Sequence, residues 1–175
     1  KGDNVMTLSG INTYTGETVI NKGTLSVKGS LSNATAVTVG EGGTYGVEST
    51  DEVGSIEGSG NIVISEDVIL TAGSLGILDA ETEFSGEISG RGGFTKVGKG
   101  KTIFSGVNTY GGNTTIQEGV LSLANVSGIP QESSTLVTGT GRLDLMSDQS
   151  GTGEFLIDQL SVREGGIVFV SPAQP

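Results

Sequence analysis

The chain has no cysteine, no histidine and no tryptophan, and only 3 prolines in 175 residues. Without cysteine it has no disulfide framework, thiol nucleophile or thiolate metal site. Without histidine it has no Ser-His-Asp triad, imidazole base or histidine-ligated zinc. Positive charge is also scarce, because 9 Lys and Arg face 20 Asp and Glu for a net charge of −11. We therefore expect no cofactor, no metal and no nucleic acid partner.

Glycine and β-branched residues are abundant in the chain. The chain carries 31 Gly, and short runs between them alternate apolar and polar residues, as in Leu25-Ser26-Val27 and Ile62-Val63-Ile64. A period of two places one set of side chains on a buried face and the other set in solvent. Helical spacing of apolar residues never lasts beyond one turn. The pattern predicts an ordered all-β protein with near-zero helix.

An internal duplication is the strongest feature of the sequence. Residues 7–27 read TLSGINTYTGETVINKGTLSV, and residues 103–123 read IFSGVNTYGGNTTIQEGVLSL. The two strings agree at 11 of 21 positions without a gap, at a spacing of 96 residues. Ile116 and Leu121 keep apolar counterparts in the other copy, whereas Thr115 replaces a valine. We therefore predict that Ile116 and Leu121 point inward and that Thr115 points outward.

Short strands, spaced glycines and a long repeat favour a parallel β-helix (a solenoid) over an antiparallel sandwich, which remains the alternative. Coils of roughly 20–25 residues predict about seven to nine coils. Residues 1–175 are expected to form one β-helix segment excised from a longer chain. Two copies of one motif should occupy equivalent points on the perimeter, so the spacing of 96 residues should equal a whole number of coils. We therefore expect Asn12 and Asn108 on the same flank, with Tyr14 and Tyr110 facing the same way.

The repeat resembles the passenger-associated repeat of bacterial autotransporters. The string L-S-G-x-N-T-Y-T-G-x-T-x-I-x-x-G-x-L runs from Leu8 in the first copy, and Phe104 and Gly111 are the departures in the second. Residues 86–106, GEISGRGGFTKVGKGKTIFSG, are similar to the lead-in that precedes such repeats. The resemblance covers about 50 residues strongly and the rest of the chain only in style.

That resemblance implies a secreted, right-handed β-helix on a Gram-negative cell surface. Its partners would be adjacent passenger coils and a C-terminal outer-membrane barrel, with a host-cell or matrix ligand as a further possibility. The repeat is associated with export and folding and is not a catalytic signature. It favours a non-catalytic stalk, with an adhesin surface and a polysaccharide-acting β-helix as alternatives.

The Asn-Thr-Tyr string is the sharpest feature that both copies retain. Asn12, Tyr14, Asn108 and Tyr110 are weak candidates for ligand contact, since amide and phenol groups suit sugar edges and faces. The alternative interpretation is a corner device, in which Asn bonds nearby amides and Tyr covers the edge of a thin core. We favour the corner device.

Charged residues cluster in three places. Two acidic runs contain Glu48, Asp51, Glu52 and Glu57, and Asp79, Glu81, Glu83 and Glu87. Paired carboxylates can cleave glycosides, with Asp79, Glu81 or Glu83 as the residues that would act, and acidic runs can bind Ca²⁺. We favour a solvated face that discourages aggregation. Arg91, Lys96, Lys99 and Lys101 form a basic cluster, for which we expect a solvated turn edge.

Overall fold

A computed structural model describes residues 4–75, 80–146, 155 and 157–171. In these ranges the chain consists of strands and turns, and it contains no helix. No helix long and apolar enough to cross a membrane occurs among the described residues. The prediction of an all-β protein is confirmed.

Fifteen strands follow one another along the described chain. Their bounds are β1 Val5–Leu8, β2 Thr18–Val27, β3 Ala36–Val47, β4 Asp51–Val53, β5 Ser55–Gly58, β6 Asn61–Ile64, β7 Ile69–Ala72, β8 Glu81–Phe84, β9 Glu87–Gly90, β10 Gly93–Lys96, β11 Lys101–Phe104, β12 Thr114–Leu123, β13 Ser134–Met146, β14 Gln159–Val162 and β15 Ile167–Ser171. Every strand pair between them is parallel.

The strands stack as three faces of a solenoid. Face 1 holds β1, the ends of β2 and β3, β6 and β9. Face 2 holds β4, β7, β10, the starts of β12 and β13, and β14. Face 3 holds the starts of β2 and β3, β5, β8, β11, the ends of β12 and β13, and β15. The eight rungs of face 3 span about seven turns, which confirms the parallel β-helix.

A narrow apolar core runs along the axis, built from the inward residue of each alternating pair. On face 1, Tyr45, Ile62 and Ile88 stack directly on one another and are fully buried. Ile116 and Leu121 are also fully buried, as the comparison of the two copies predicted, and Thr115 lies on the outer side of face 2. The inward and outward assignment from the sequence is confirmed.

Both repeat copies bend their long strand at the same position. The ladder shifts between Ile20 and Lys22 in β2, and between Ile116 and Glu118 in β12. The glycine that follows has positive φ in each copy, 76° at Gly23 and 67° at Gly119. An L-residue with a Cβ rarely adopts this backbone, so the bend needs glycine. The duplication therefore repeats a local turn as well as a sequence.

The two copies nevertheless face different directions, and the predicted coil register is wrong. Residues 24–27 of the first copy lie in face 1, whereas the corresponding residues 120–123 lie in face 3. Unequal coils explain this rotation. The step from Thr44 to Asn61 takes 17 residues, and the next step, from Asn61 to Glu87, takes 26. Spacing along the chain gives a position on the perimeter only when all coils have one length.

Candidate functional site

Asn108 links three successive coils. Its Oδ1 accepts a hydrogen bond from the backbone N–H of Ile88 at 2.8 Å, and its Nδ2 donates to the carbonyl of Gly128 at 2.7 Å. The side chain occupies an inward position of face 1 and is only 4% exposed. Because both bonds are buried, the amide satisfies backbone groups that have no strand partner there.

Asn12 makes a smaller set of bonds at its own corner. Its Nδ2 donates to the carbonyls of Gly10 and Ser30, both at 2.9 Å, and the residue is half-buried. Asn12 stacks on the rung of Ser30, beside face 2, so it lies on a different flank from Asn108. Both asparagines donate a side-chain hydrogen bond to a backbone carbonyl of the next coil, but they lie on different flanks of the solenoid.

The two tyrosines share a hydrogen bond and differ in exposure. Each hydroxyl pairs with a threonine four residues on, Tyr14 with Thr18 at 2.9 Å and Tyr110 with Thr114 at 2.6 Å. Tyr14 is 42% exposed, whereas Tyr110 is fully buried, and burial raises the pKa of its phenol well above the usual value. The expectation that both rings face the same way is therefore wrong, because the second copy is rotated and covered on both sides.

Surface grooves lie beside both Asn-Thr-Tyr strings. A groove of about 430 Å³ runs past Asn108 and Tyr110, with Val107, Thr109 and Gln131 on its walls. Another of about 370 Å³ lies at the start of the stack and includes Tyr14. Since Asn108 and Tyr110 are buried, the exposed Val107 and Thr109 would make most of any contact in the first groove.

Most carboxylates of the two acidic runs point outward and accept a hydrogen bond from a hydroxyl on the neighbouring coil. Ser105 donates to Glu83 at 2.5 Å, Thr109 to Glu87 at 2.7 Å, and Ser26 to Glu48. The bond from Ser26 is the main cause of a lowered pKa at Glu48. Among the described residues no group of three or more His, Cys, Asp and Glu side chains could hold a metal ion.

The second acidic run lies partly outside the described residues, because Asp79 falls there. Glu81 and Glu83 alternate outward along β8, and Glu81 forms an ion pair with Lys101 at 3.0 Å. Both carboxylates therefore have partners on the next coil. Glu57 of the first run accepts a bond from Thr38 at 2.9 Å in the same manner.

Asp51 departs from the expected solvated face. It is only 2% exposed and accepts bonds from the backbone N–H of Leu31 at 3.0 Å and from the Tyr45 hydroxyl at 2.8 Å. Burial raises the pKa of the Asp51 carboxyl, and burial also raises the pKa of Tyr45 well above its usual value. The prediction of a solvated acidic run is wrong at Asp51. Side chains alternate along Asp51-Glu52-Val53, so Asp51 lies on the inner side with Val53.

Lys96 likewise departs from the expected solvated turn edge. It is 1% exposed, and its Nζ donates to the carbonyls of Val97 at 2.6 Å and Gly98 at 2.8 Å, with Glu118 O at 3.4 Å. Burial lowers the pKa of Lys96 to about 8. Side chains alternate along Phe94-Thr95-Lys96, which places Lys96 on the inner side with Phe94. The sequence predicts Lys96 at the surface because lysine is usually exposed. Lys101 and Arg91, in contrast, pair with Glu81 and Glu66 near the surface.

Comparisons with known proteins agree with this architecture. The passenger-associated-transport-repeat family matches residues 1–27 and 94–123. The adhesin BmaC autotransporter of Brucella suis biovar 1 (strain 1330) is 35% identical over 122 residues, which is 66% of this chain and 4% of that protein. No solved structure matches significantly. The stacked coils and these matches define a repeat-bearing β-solenoid segment.

The chain carries two copies of the transport repeat of autotransporter passengers, and it is similar to one such passenger over 122 residues. Such passengers are secreted to the bacterial cell surface and are anchored in the outer membrane, and this is where the segment resides. The chain spans only a small fraction of the relative that it matches.

Proposed function

We propose that this segment is a non-catalytic stalk and folding segment of its passenger. The observation that carries the proposal is the open core at both ends of the stack. Met6 on the first rung is 64% exposed and Val170 on the last is 63% exposed, although both occupy inward positions. Their stacking partners Leu25 and Leu145 are buried. Apolar ends, and strand edges without a partner among the described residues, suit further coils on either side.

The Asn-Thr-Tyr strings support the stalk. The side-chain amides of Asn12 and Asn108 donate hydrogen bonds to carbonyls of adjacent coils. The hydroxyls of Tyr14 and Tyr110 each form a hydrogen bond with the threonine four residues on. We propose that these residues join coils and that they are not ligand contacts. In the full-length protein the neighbouring partners would be adjacent passenger coils, with a C-terminal outer-membrane barrel as the anchor.

An exchange experiment in the full-length passenger tests the stalk. Residues 1–175 are replaced by an unrelated parallel β-helix of about seven coils, and surface display and cell adhesion are measured on whole bacteria. A stalk predicts that display and adhesion both survive the exchange, since only height and stacking matter. Normal display with lost adhesion would contradict the stalk and support a binding surface.

An adhesin surface is the second candidate, and one groove favours it. The relative is named an adhesin, and the groove beside Val107 and Thr109 is larger than the groove beside Tyr14. A host-cell or matrix ligand would contact these exposed side chains. Binding to immobilised matrix proteins and glycan arrays tests the adhesin surface. The purified chain is compared with a Thr109→Lys variant. Specific binding that the variant loses would support the adhesin over the stalk.

The non-catalytic part of the proposal has its own test. The chain is incubated with polysaccharides, and the release of reducing ends is followed. We expect none, because Glu81 and Glu83 are engaged by Lys101 and Ser105. Turnover that survives purification and disappears in Glu83→Gln, but not in the control Glu87→Gln, would contradict it.

A further inference from the structure

The start of strand β2 has a neighbouring strand on one side only. Its residues Thr18, Val19 and Ile20 pair with β3, and no described strand lies along their other edge. A groove of about 370 Å³ lies along that edge, with apolar side chains of β1 and β2 on its walls. Val19 is 50% exposed, and Tyr14 on the same groove is 42% exposed. Exposed apolar side chains next to such an edge indicate a place for one more strand.

The second copy of the repeat has a strand at the equivalent place. Strand β10 pairs there with the start of β12, in the register that sets Phe94 opposite Thr114. Tyr110, the counterpart of Tyr14, is fully buried in that copy. The two copies therefore differ at this edge by one strand, and the copy that has the strand is the one with the buried tyrosine.

The rest of the repeat keeps its pairing from one copy to the other. Strand β1 lies on β2 with Val5 opposite Thr24, and β11 lies on β12 with Lys101 opposite Val120. The second pair follows the first by 96 residues on both strands, which is the spacing of the two copies. Although the copies face different sides of the solenoid, each folds as the same local unit. The pairing of β10 with β12 should therefore recur in the first copy.

The family match indicates which segment would fill the groove. It covers residues 94–123 in the second copy and residues 1–27 in the first. The counterparts of residues 94–96 are therefore the three residues before Lys1 in the full-length passenger. Only four residues join β10 to β11 in the second copy. So short a connection holds the segment at high effective concentration beside the groove, which favours it over a second copy or a separate partner.

The second copy also indicates the chemistry that the added strand needs. Phe94 is fully buried, and its ring centroid lies 5.0 Å from that of Phe104. The counterpart of Phe104 is Leu8, which is partly buried against the core. A large apolar residue in the third position before Lys1 would pack against Leu8 in the same way and would remove apolar surface from water.

We propose that the three residues before Lys1 form a parallel strand in this groove, in the register that β10 adopts on β12. The inference rests on the coils proposed beyond residue 1, and it names the segment and the stacking of the nearest one. The third residue before Lys1 lies opposite Thr18, the second opposite Val19 and the first opposite Ile20. The added strand covers Tyr14 and extends face 3 by one rung.

Nitration of Tyr14 by tetranitromethane tests whether the groove is covered. The full-length passenger and the 175-residue chain are treated alike and digested with trypsin, and nitration is measured by mass spectrometry. Tyr14 is the only tyrosine in the tryptic peptide 2–22. We expect it to react several-fold more slowly in the full-length passenger. Tyr110 is the control and should react slowly in both proteins, since it is fully buried. Equal rates at Tyr14 would overturn the proposal.

Engineered cysteines test the register, because none of the 175 residues is a cysteine. Thr95 and Thr115 are direct outward partners in the second copy, so the second residue before Lys1 should lie beside Val19. The full-length passenger carries a cysteine at that upstream position together with Val19→Cys or, as the matched control, with Glu17→Cys. Both chains are treated with a short thiol cross-linker. Trypsin cleaves after Lys1, so a cross-link joins two tryptic peptides that mass spectrometry identifies.

We expect several-fold more cross-linking with Val19→Cys than with Glu17→Cys, which lies two residues away on the same outer side. Equal or reversed yields would contradict the register. A cross-link between two passenger molecules would also reject the proposal, because it would assign the groove to a second copy. A covered Tyr14 without the cross-link at Val19 would overturn this strand and leave the stalk proposal intact.

Discussion

Ile62 offers the cleanest test of the inner column. Its side chain is fully buried between Tyr45 on one coil and Ile88 on the next, while Val63 beside it is 40% exposed. Ile62→Ala removes three buried carbons, worth about 2.4 kcal/mol at about 0.8 kcal/mol for each carbon. The cavity that remains adds to this, because stacked rungs collapse poorly. We expect a total loss of about 3–4 kcal/mol.

The matched control is Val63→Ala on the same strand. Its outward side chain makes few core contacts, so we expect a loss below about 1 kcal/mol. Urea and thermal unfolding of both variants are followed by circular dichroism at the β-sheet minimum. At this chain length Ile62→Ala should lower the thermal midpoint by about 10 °C. Equal losses for the two variants would refute the inward and outward assignment of face 1.

Three further predictions concern the buried polar groups. Because the pKa of Lys96 is lowered to about 8 in the folded chain, the unfolded chain binds more protons between about pH 8 and 10.5. The free energy of unfolding should therefore rise with pH across that range, and urea titrations should show no such rise in Lys96→Met. Asp51 has the opposite linkage: its raised pKa means that stability falls as the pH passes above the ordinary carboxyl value, and Asp51→Asn should lose this fall in a pH series of urea midpoints. Asn108→Ala should cost about 2–3 kcal/mol by leaving a buried N–H unpaired, and Asn12→Ala less than about 1 kcal/mol; similar urea midpoints for the two would contradict the assigned contacts.

Much of the fold could be predicted from local pattern. Alternation along strings such as Ile62-Val63-Ile64 reports which side of a strand is buried, and the duplication separates core positions from surface ones. Gly23 and Gly119 recur because the same bend recurs. These are short-range properties, so a sequence carries them directly.

The register and the buried ions could not be predicted in the same way. Register depends on the length of every intervening coil, and the coils starting at Thr44 and Asn61 differ by nine residues. Lys96 and Asp51 were assigned to the surface by residue type, although period two placed both inside. Asp51 is held by the N–H of Leu31 on another coil, and Lys96 is held by carbonyls of the turn that follows it. The alternation within a strand reveals neither contact.

The stack itself is tested most directly by a distance between two spin labels on face 3. Val19 is an outward residue on the first rung and Asp144 an outward residue on the seventh, and the stack between them runs through Thr38, Glu57, Glu83, Ile103 and Ser122. With roughly 4.8 Å between rungs, pulsed electron resonance on Val19→Cys and Asp144→Cys labels should give one distance near roughly 29 Å. A distance below about 20 Å or above about 45 Å, or several distances of similar weight, would contradict a parallel stack of equal rungs.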